Sequence, residues 1–165
     1  MRTTELTSTL TRLFAELVEG VREAGGGLVL NSGDVGLLRS LDRIPPEDAS
    51  HSANGGGSIA AHARHVRDGL ALLNRWAEEG GNPFADAKWD EAWTAGPVDA
   101  AGWEQVRAEL RHEAQRWRRH LESPRDVADV ELAGMIASIA HVAYHLGAIR
   151  QIGIQARGPR HGTFD

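Results

Sequence analysis

The sequence predicts an all-α fold, and more narrowly a four-helix bundle with a crossover connection. Four long segments repeat apolar residues at steps of three or four, and none alternates strictly between apolar and polar. A long connection after the first helix leaves room for a crossover. A chain of 165 residues with 41% hydrophobic and 25% charged residues fits one globular domain. We expect that domain over residues 1–158, followed by a tail at 159–165.

The first helix is predicted over residues 4–24, because apolar residues recur at helical spacing and three glycines follow at 25–27. A short segment at 34–41 is predicted to form a further helical turn or two. We interpret residues 44–57 as a loop, since the stretch ends in three glycines and has little to bury.

The second long helix is predicted over 59–79, capped by Ser58 and ended by two glycines. The third is predicted over 99–123 and the fourth over 129–157. The third helix has the clearest apolar stripe: Trp103, Val106, Leu110, Ala114, Trp117 and Leu121. On the fourth helix we predict these core residues: Leu132, Ile136, Ile139, Ala143 and Leu146.

Composition excludes several chemistries. The chain has no cysteine, so it has no disulfide, no thiolate nucleophile of its own and no sulfur-ligated metal. A net charge of −5 opposes the counterion release that drives nucleic-acid binding, so we expect no nucleic-acid partner. The amino terminus lacks an apolar signal core, and no stretch approaches about 20 apolar residues. We therefore expect a cytoplasmic protein without a membrane partner.

Histidines form the most informative pattern. His141 and His145 are four residues apart, which places both imidazoles on one helix face, about 6 Å apart at Cβ. Such a pair can ligate one metal ion. The second helix offers a third ligand in either His62 or His65. Whichever of the two is not a ligand is expected to lie at the surface or to contact a ligand from outside the metal site. Three imidazoles leave a coordination position for water or substrate, as in catalytic sites.

Small side chains near these histidines predict a cavity: Gly69 lies one turn after His65, and Gly134 lies two turns before His141. A zinc-protease motif is excluded because Val142, not glutamate, follows His141.

Asp68 is a candidate to orient a ligand imidazole, and Arg150 a candidate to meet an anionic substrate. An ordinary interhelical ion pair is the alternative for each.

Two tryptophans, Trp89 and Trp93, lie in the connection at 82–97. They either line the mouth of a substrate pocket or pack the connection onto the helices. Four further histidines are predicted to be solvated: His51, His112, His120 and His161.

Two segments carry a family resemblance. Residues 58–68, SIAAHARHVRD, and residues 141–151, HVAYHLGAIRQ, resemble the second-helix and last-helix motifs of the DinB-like (DNA-damage-inducible) superfamily of metalloenzymes. The resemblance extends from the first helix through the fourth. It implies a four-helix bundle with a crossover, a homodimer, and a divalent zinc or nickel ion. Matched position by position, it implies His65, His141 and His145 as the metal ligands.

The resemblance also implies an activity. Relatives include bacillithiol S-transferases and mycothiol-dependent maleylpyruvate isomerases, so the implied function is a metal-dependent enzyme that activates an external thiol or water to attack a small electrophile. The isomerases place a carboxylate among their ligands, whereas this chain offers three histidines. A non-catalytic metal-binding module in stress response and a metal-free dimeric scaffold are the alternatives.

Overall fold

A computed structural model describes residues 3–21, 27–52, 55–123 and 125–159. Every regular element in these ranges is helical, so the predicted all-α class is confirmed. The helices are α1 Thr3–Glu19, α2 Gly36–Asp42, α3 Pro46–Ser50, α4 Ile59–Glu79, α5 Glu91–Thr94, α6 Ala100–Glu122 and α7 Asp129–Ile152, followed by a 3₁₀ turn at Ile154–Ala156.

The four long helices share one hydrophobic core. Both α1 and α4 pack against α6 and α7, so α1 and α4 occupy opposite corners of the arrangement. The short helices α2 and α3 lie in the connection between them, and α2 packs on α1 and α6. The largest fully buried side chains of the core include Trp103, Trp117 and Phe14. This packing brings α4 and α7 side by side along the faces that carry the histidines.

The N-cap predicted at Ser58 is confirmed, and Asp99 caps α6 in the same way. Ser58 Oγ accepts the N–H of Ala61 at 3.2 Å, and Asp99 Oδ1 accepts the N–H of Gly102 at 2.7 Å. Each bond satisfies one of the backbone donors left free in a first helical turn. At the far end of α4, Gly80 adopts φ +72°, a conformation that favours glycine.

The first helix ends at Glu19, earlier than the predicted residue 24. Gly20 adopts φ +91°, and a Cβ there would collide with the carbonyl oxygen of Asp34. The chain leaves the helix at this glycine because another segment passes against its backbone. Residues 22–24 of the predicted helix, and the glycines at 25 and 26 predicted to follow it, lie outside the described residues.

The last helix ends at Ile152, not at residue 157 as predicted. A Cβ on Gly153 would lie 2.8 Å from Ile59 Cδ1, so the chain closes against the start of α4 and continues as the 3₁₀ turn. The predicted loop at 44–57 contains α3, whose first residue, Pro46, has its φ preset for a helix. The predicted tail beyond 159 lies outside the described residues.

The core face of α7 also differs from the prediction. Ile136 is 52% exposed, whereas Met135, Val142 and Ile149 are fully buried. Apolar residues surround this helix on all sides, so their spacing does not define which side faces inward. The packing against α1 and α4 decides it.

Among the described residues, one helix, α7, is long and apolar enough to cross a membrane by length and composition. The expectation that no stretch could span a bilayer rested on unbroken apolar runs, whereas α7 passes on length and average hydropathy although polar residues interrupt it. Core helices of soluble proteins pass the same test, and α7 packs on α1 and α4 with a buried face.

Glu16 of α1 binds residues 28–30 through hydrogen bonds to their backbone. Its side chain is 7% exposed and accepts the backbone N–H groups of Leu28, Val29 and Leu30 at 2.9, 2.6 and 2.7 Å. Burial raises the pKa of Glu16, but the three backbone hydrogen bonds outweigh it, and the pKa is lowered. The ionised carboxylate is therefore a structural group.

We expect Glu16→Gln to lower the free energy of unfolding by about 2 kcal/mol, because an amide replaces a charged acceptor of three hydrogen bonds. Urea denaturation at neutral pH measures the change. Glu47→Gln, at an exposed position in α3, is the matched control and should change stability by less than about 0.5 kcal/mol. Equal stability of the two variants would contradict this role for Glu16.

Candidate metal centre

Four histidines meet where α4 packs against α7. His62 and His65 project from α4, and His141 and His145 project from α7. The ring centre of His65 lies 5.0 Å from those of both His141 and His145, which are themselves 4.5 Å apart. The helical spacing noted in the sequence thus produces a single cluster.

Three of the four are arranged as metal ligands would be. One ring nitrogen from each of His65, His141 and His145 lies within 4.8 Å of the others. Nitrogens bound tetrahedrally to zinc at roughly 2.0–2.1 Å stand about 3.3 Å apart. The Nε2 atoms of His141 and His145 are 3.0 Å apart, so the α7 pair already has nearly this separation. The nitrogen of His65 lies within 4.8 Å of both.

Burial keeps this cluster uncharged. It lowers the pKa of His62, His65 and His141, and it lowers the pKa of His145 to about 3, with a further contribution from the charges of its three neighbours. Neutral imidazoles offer lone pairs and do not repel a cation. The protein therefore presents the protonation state that metal binding requires.

His65 shows the clearest fit to a missing partner. Its Nδ1 atom is buried and has no hydrogen-bond partner in the described structure. An orphaned buried nitrogen is costly, by about 1–3 kcal/mol, unless something satisfies it. The donor set of three imidazoles suits zinc or nickel. The residues present therefore fit a divalent ion.

His62 lies behind the ligand group and touches it. Its Nδ1 is 2.8 Å from Nδ1 of His145, whose Nε2 faces His141. A proton on His145 Nδ1, donated to His62, leaves the Nε2 lone pair directed at the cluster. Of the two residues between which the sequence left the choice open, His65 groups with the α7 pair and His62 contacts His145. Metal ligation by the group stays a prediction.

The structure places Asp68 and Arg150 in ion pairs. Asp68 accepts a hydrogen bond from Arg67 at 2.7 Å, although its charge also raises the pKa of His65 against the larger effect of burial. Arg150 binds the buried carboxylate of Asp34 at 2.6 Å. Each residue therefore lies in an ion pair, but neither pair is the predicted interhelical one: Arg67 belongs to the same helix as Asp68, and Asp34 precedes α2.

The two tryptophans of the connection have different positions. Trp93 packs edge-on against His62, with ring centres 5.1 Å apart, and lies 5.0 Å from His65. Gly57 makes this possible, since a Cβ there would lie 2.6 Å from the Trp93 ring. Trp89 lies 5.5 Å from His65 and lines a cleft. Trp93 therefore packs the connection onto the cluster, and Trp89 lines the opening beside it.

The space predicted at the two glycines near the cluster is used differently at each. A Cβ on Gly69 would lie 3.3 Å from Cε1 of His141, so this glycine makes room for a cluster imidazole, as expected. A Cβ on Gly134 would lie 2.7 Å from the Trp76 ring, which fills the predicted cavity there. The sequence could not indicate which ring would use each space.

The remaining histidines lie apart from the cluster. His51 and His112 are exposed, as predicted. His120 is partly buried, and its Nε2 is 3.1 Å from a carboxylate oxygen of Glu78, so it is less solvated than predicted. His161 lies outside the described residues.

A cleft of about 470 Å³ reaches His65 from outside. It runs between α4 and the segment 86–95, which includes α5. The cluster is thus covered by Trp93 on one side and approachable beside Trp89 on another.

Comparison with known proteins finds no matching family model, no similar curated protein and no similar solved structure.

We expect the metal-free protein to lose stability as the pH falls from 6.5 toward 3. The folded state holds the pKa of His145 near 3, whereas an unfolded histidine titrates near 6.5, so between these values the unfolded chain binds a proton that the folded chain excludes. The slope is at most about 1.4 kcal/mol per pH unit for this group. Urea denaturation in chelator at several pH values measures it.

His145→Gln should flatten this dependence, because glutamine does not titrate. His112→Gln, at an exposed position, is the control and should leave the slope unchanged. A slope in His145→Gln as steep as in the wild type would contradict the assignment.

Proposed function

We propose that this chain is a DinB-like metalloenzyme, a four-helix bundle with a crossover that holds one zinc or nickel ion between α4 and α7. The ligands are His65, His141 and His145. The observation that carries the proposal is the convergence of three neutral imidazoles, one of them with an orphaned buried nitrogen. The crossover is supported by the opposite placement of α1 and α4. The motifs at 58–68 and 141–151 support the family.

A catalytic role is favoured over a purely structural one by the number of ligands. Within the described ranges, the group of His65, His141 and His145 contains three candidate ligands, and His62 turns its Nδ1 toward His145 instead. Structural zinc sites are closed by four protein ligands, whereas catalytic sites retain an open position. The cleft beside Trp89 gives a small molecule access to such a position.

The proposed chemistry follows from the absence of cysteine and from the three candidate imidazole ligands. When bound, the ion would lower the pKa of a coordinated thiol or water. The chain has no cysteine, so a thiol nucleophile must come from outside. His65, His141 and His145 would bind the ion, and His62 would orient His145. We propose a metal-dependent thiol S-transferase, in which an external thiol attacks a small electrophile, with water as the alternative nucleophile.

The cellular setting belongs to the same proposal. A cytoplasmic homodimer, with a small-molecule substrate and without a nucleic-acid or membrane partner, is what composition and resemblance support. The net charge of −5 is consistent with this set of partners.

Elemental analysis of protein purified without an affinity tag tests the metal site. We expect about one equivalent of zinc or nickel, lost in His65→Gln and His141→Gln because each removes a ligand. His62→Gln should keep the metal with affinity reduced about tenfold or more, as for residues that orient a ligand. His112→Gln, an exposed histidine of α6, is the control and should bind normally.

Three outcomes are informative. Absence of metal in the wild type, even after reloading with zinc or nickel, would overturn the proposal and leave a metal-free scaffold. Metal retained without an exchangeable water, measured on the nickel form by water relaxation, would indicate a non-catalytic module. Metal with an exchangeable water supports the enzyme and justifies assays that pair small thiols with electrophiles.

A further inference from the structure

We propose that the cleft beside His65 binds a small carboxylate ligand through Arg64. The inference rests on the proposed function only for the ligand's role as a substrate or thiol cosubstrate. The binding site itself is argued from the charges and contacts of the cleft.

Four basic side chains line this cleft, Arg64, Arg67, Arg75 and Lys88, alongside three acidic ones, Asp68, Asp86 and Glu91. Three of the four have a carboxylate partner: Arg67 with Asp68 and Glu109, Arg75 with Glu79, and Lys88 with Glu91. Arg64 differs from them, because no carboxylate lies within ion-pair distance of it in the described part of the chain.

Arg64 is held in place without being neutralised. Its Nη1 donates to the carbonyl oxygen of Gly96 at 2.8 Å, which ties α4 to the chain two residues after α5. Burial and the positive charge of Arg67 lower the pKa of Arg64, and the charge of Asp68 offsets this only in part. The guanidinium is thus a partly desolvated cation that lacks a counter-ion.

The neighbouring acids are engaged elsewhere or solvated. Asp68 shares its charge with Arg67. Asp99, which borders a shallow depression on the other side of Arg64, caps α6 through the N–H of Gly102. Asp86 is exposed to solvent. The charge on Arg64 is therefore available to a ligand.

The free edge of Arg64 matches a carboxylate. With Nη1 bound to Gly96, no acceptor in the described structure bonds Nε or Nη2. These two N–H groups are parallel and suit two carboxylate oxygens, an arrangement that lysine cannot reproduce.

The rest of the ligand would lie on an apolar surface that leads to the cluster. Ala71, Leu72 and Trp89 line the same cleft, and the Trp89 ring lies 5.5 Å from His65. A ligand anchored at Arg64 would place its apolar or aromatic part against Trp89 and its other end near His65. The site therefore favours a small carboxylate with an apolar body.

A titration of the metal-free protein with phenylacetate tests the site. Calorimetry and amide NMR shifts report binding, in chelator at neutral pH. Phenylacetamide is the uncharged match, and inorganic phosphate is a second anion. We expect Arg64→Gln to weaken phenylacetate binding about tenfold or more, the loss of roughly one charge-assisted pair. Arg75→Gln, in the same cleft but paired with Glu79, should change it less than about twofold. Phenylacetamide should bind the wild type about tenfold more weakly than phenylacetate and be insensitive to Arg64→Gln.

Several results would overturn the proposal. These are equal phenylacetate affinity in the wild type and Arg64→Gln, absence of binding to the wild type at millimolar concentration, and binding of phosphate in preference to phenylacetate. Arg64→Lys, which keeps the charge but not the paired donors, should retain part of the phenylacetate affinity. Thermal melting checks that each variant is folded. The titration uses metal-free protein, so absence of carboxylate binding would not contradict the proposed metal site. Conversely, absence of metal from the purified wild type would not contradict the proposed carboxylate site.

Discussion

The packing of four imidazoles between α4 and α7, with His62 and His145 buried and His65 and His141 partly buried, is the constraint on which the rest of the site depends. Polar atoms removed from water need partners, and His145 finds two, in His62 and His141. His65 Nδ1 finds none. Burial also keeps the rings neutral, so they are drawn together without charge repulsion. The proposed cation would use one lone pair from each of His65, His141 and His145.

The elements around the cluster serve its packing and access. Gly69 leaves space for His141, and Gly57 leaves space for Trp93, so the rings approach the backbone closely. The segment that carries Trp89 and Trp93 packs on α4 through α5 and through the hydrogen bond between Arg64 and Gly96. The same segment covers one side of the cluster and forms one wall of the cleft. Shape and charge at the opening therefore depend on a connection, not on the long helices alone.

Predictions were most accurate where local sequence decides the outcome. The bounds of α4 match because Ser58 caps one end and glycine ends the other, and the apolar stripe of α6, including Trp103 and Trp117, is buried as expected. They were least accurate where contact with a segment distant in the chain determines where a helix ends or which face is buried. The end of α1 depends on the approach of Asp34 to Gly20, and the inward face of α7 depends on its neighbours, because its apolar residues point in all directions.

The sequence by itself determined the helical class, the central helices and the candidate ligands, since helical periodicity, caps and the four-residue spacing of His141 and His145 are local properties. Tertiary structure decided that His65 groups with this pair while His62 contacts His145, that Asp68 and Arg150 lie in ion pairs, and that Arg64 has no carboxylate partner among the described residues. These are relations between residues far apart in the chain. They depend on how α4, α7 and the connection through α5 pack, and spacing along a single helix does not encode that packing.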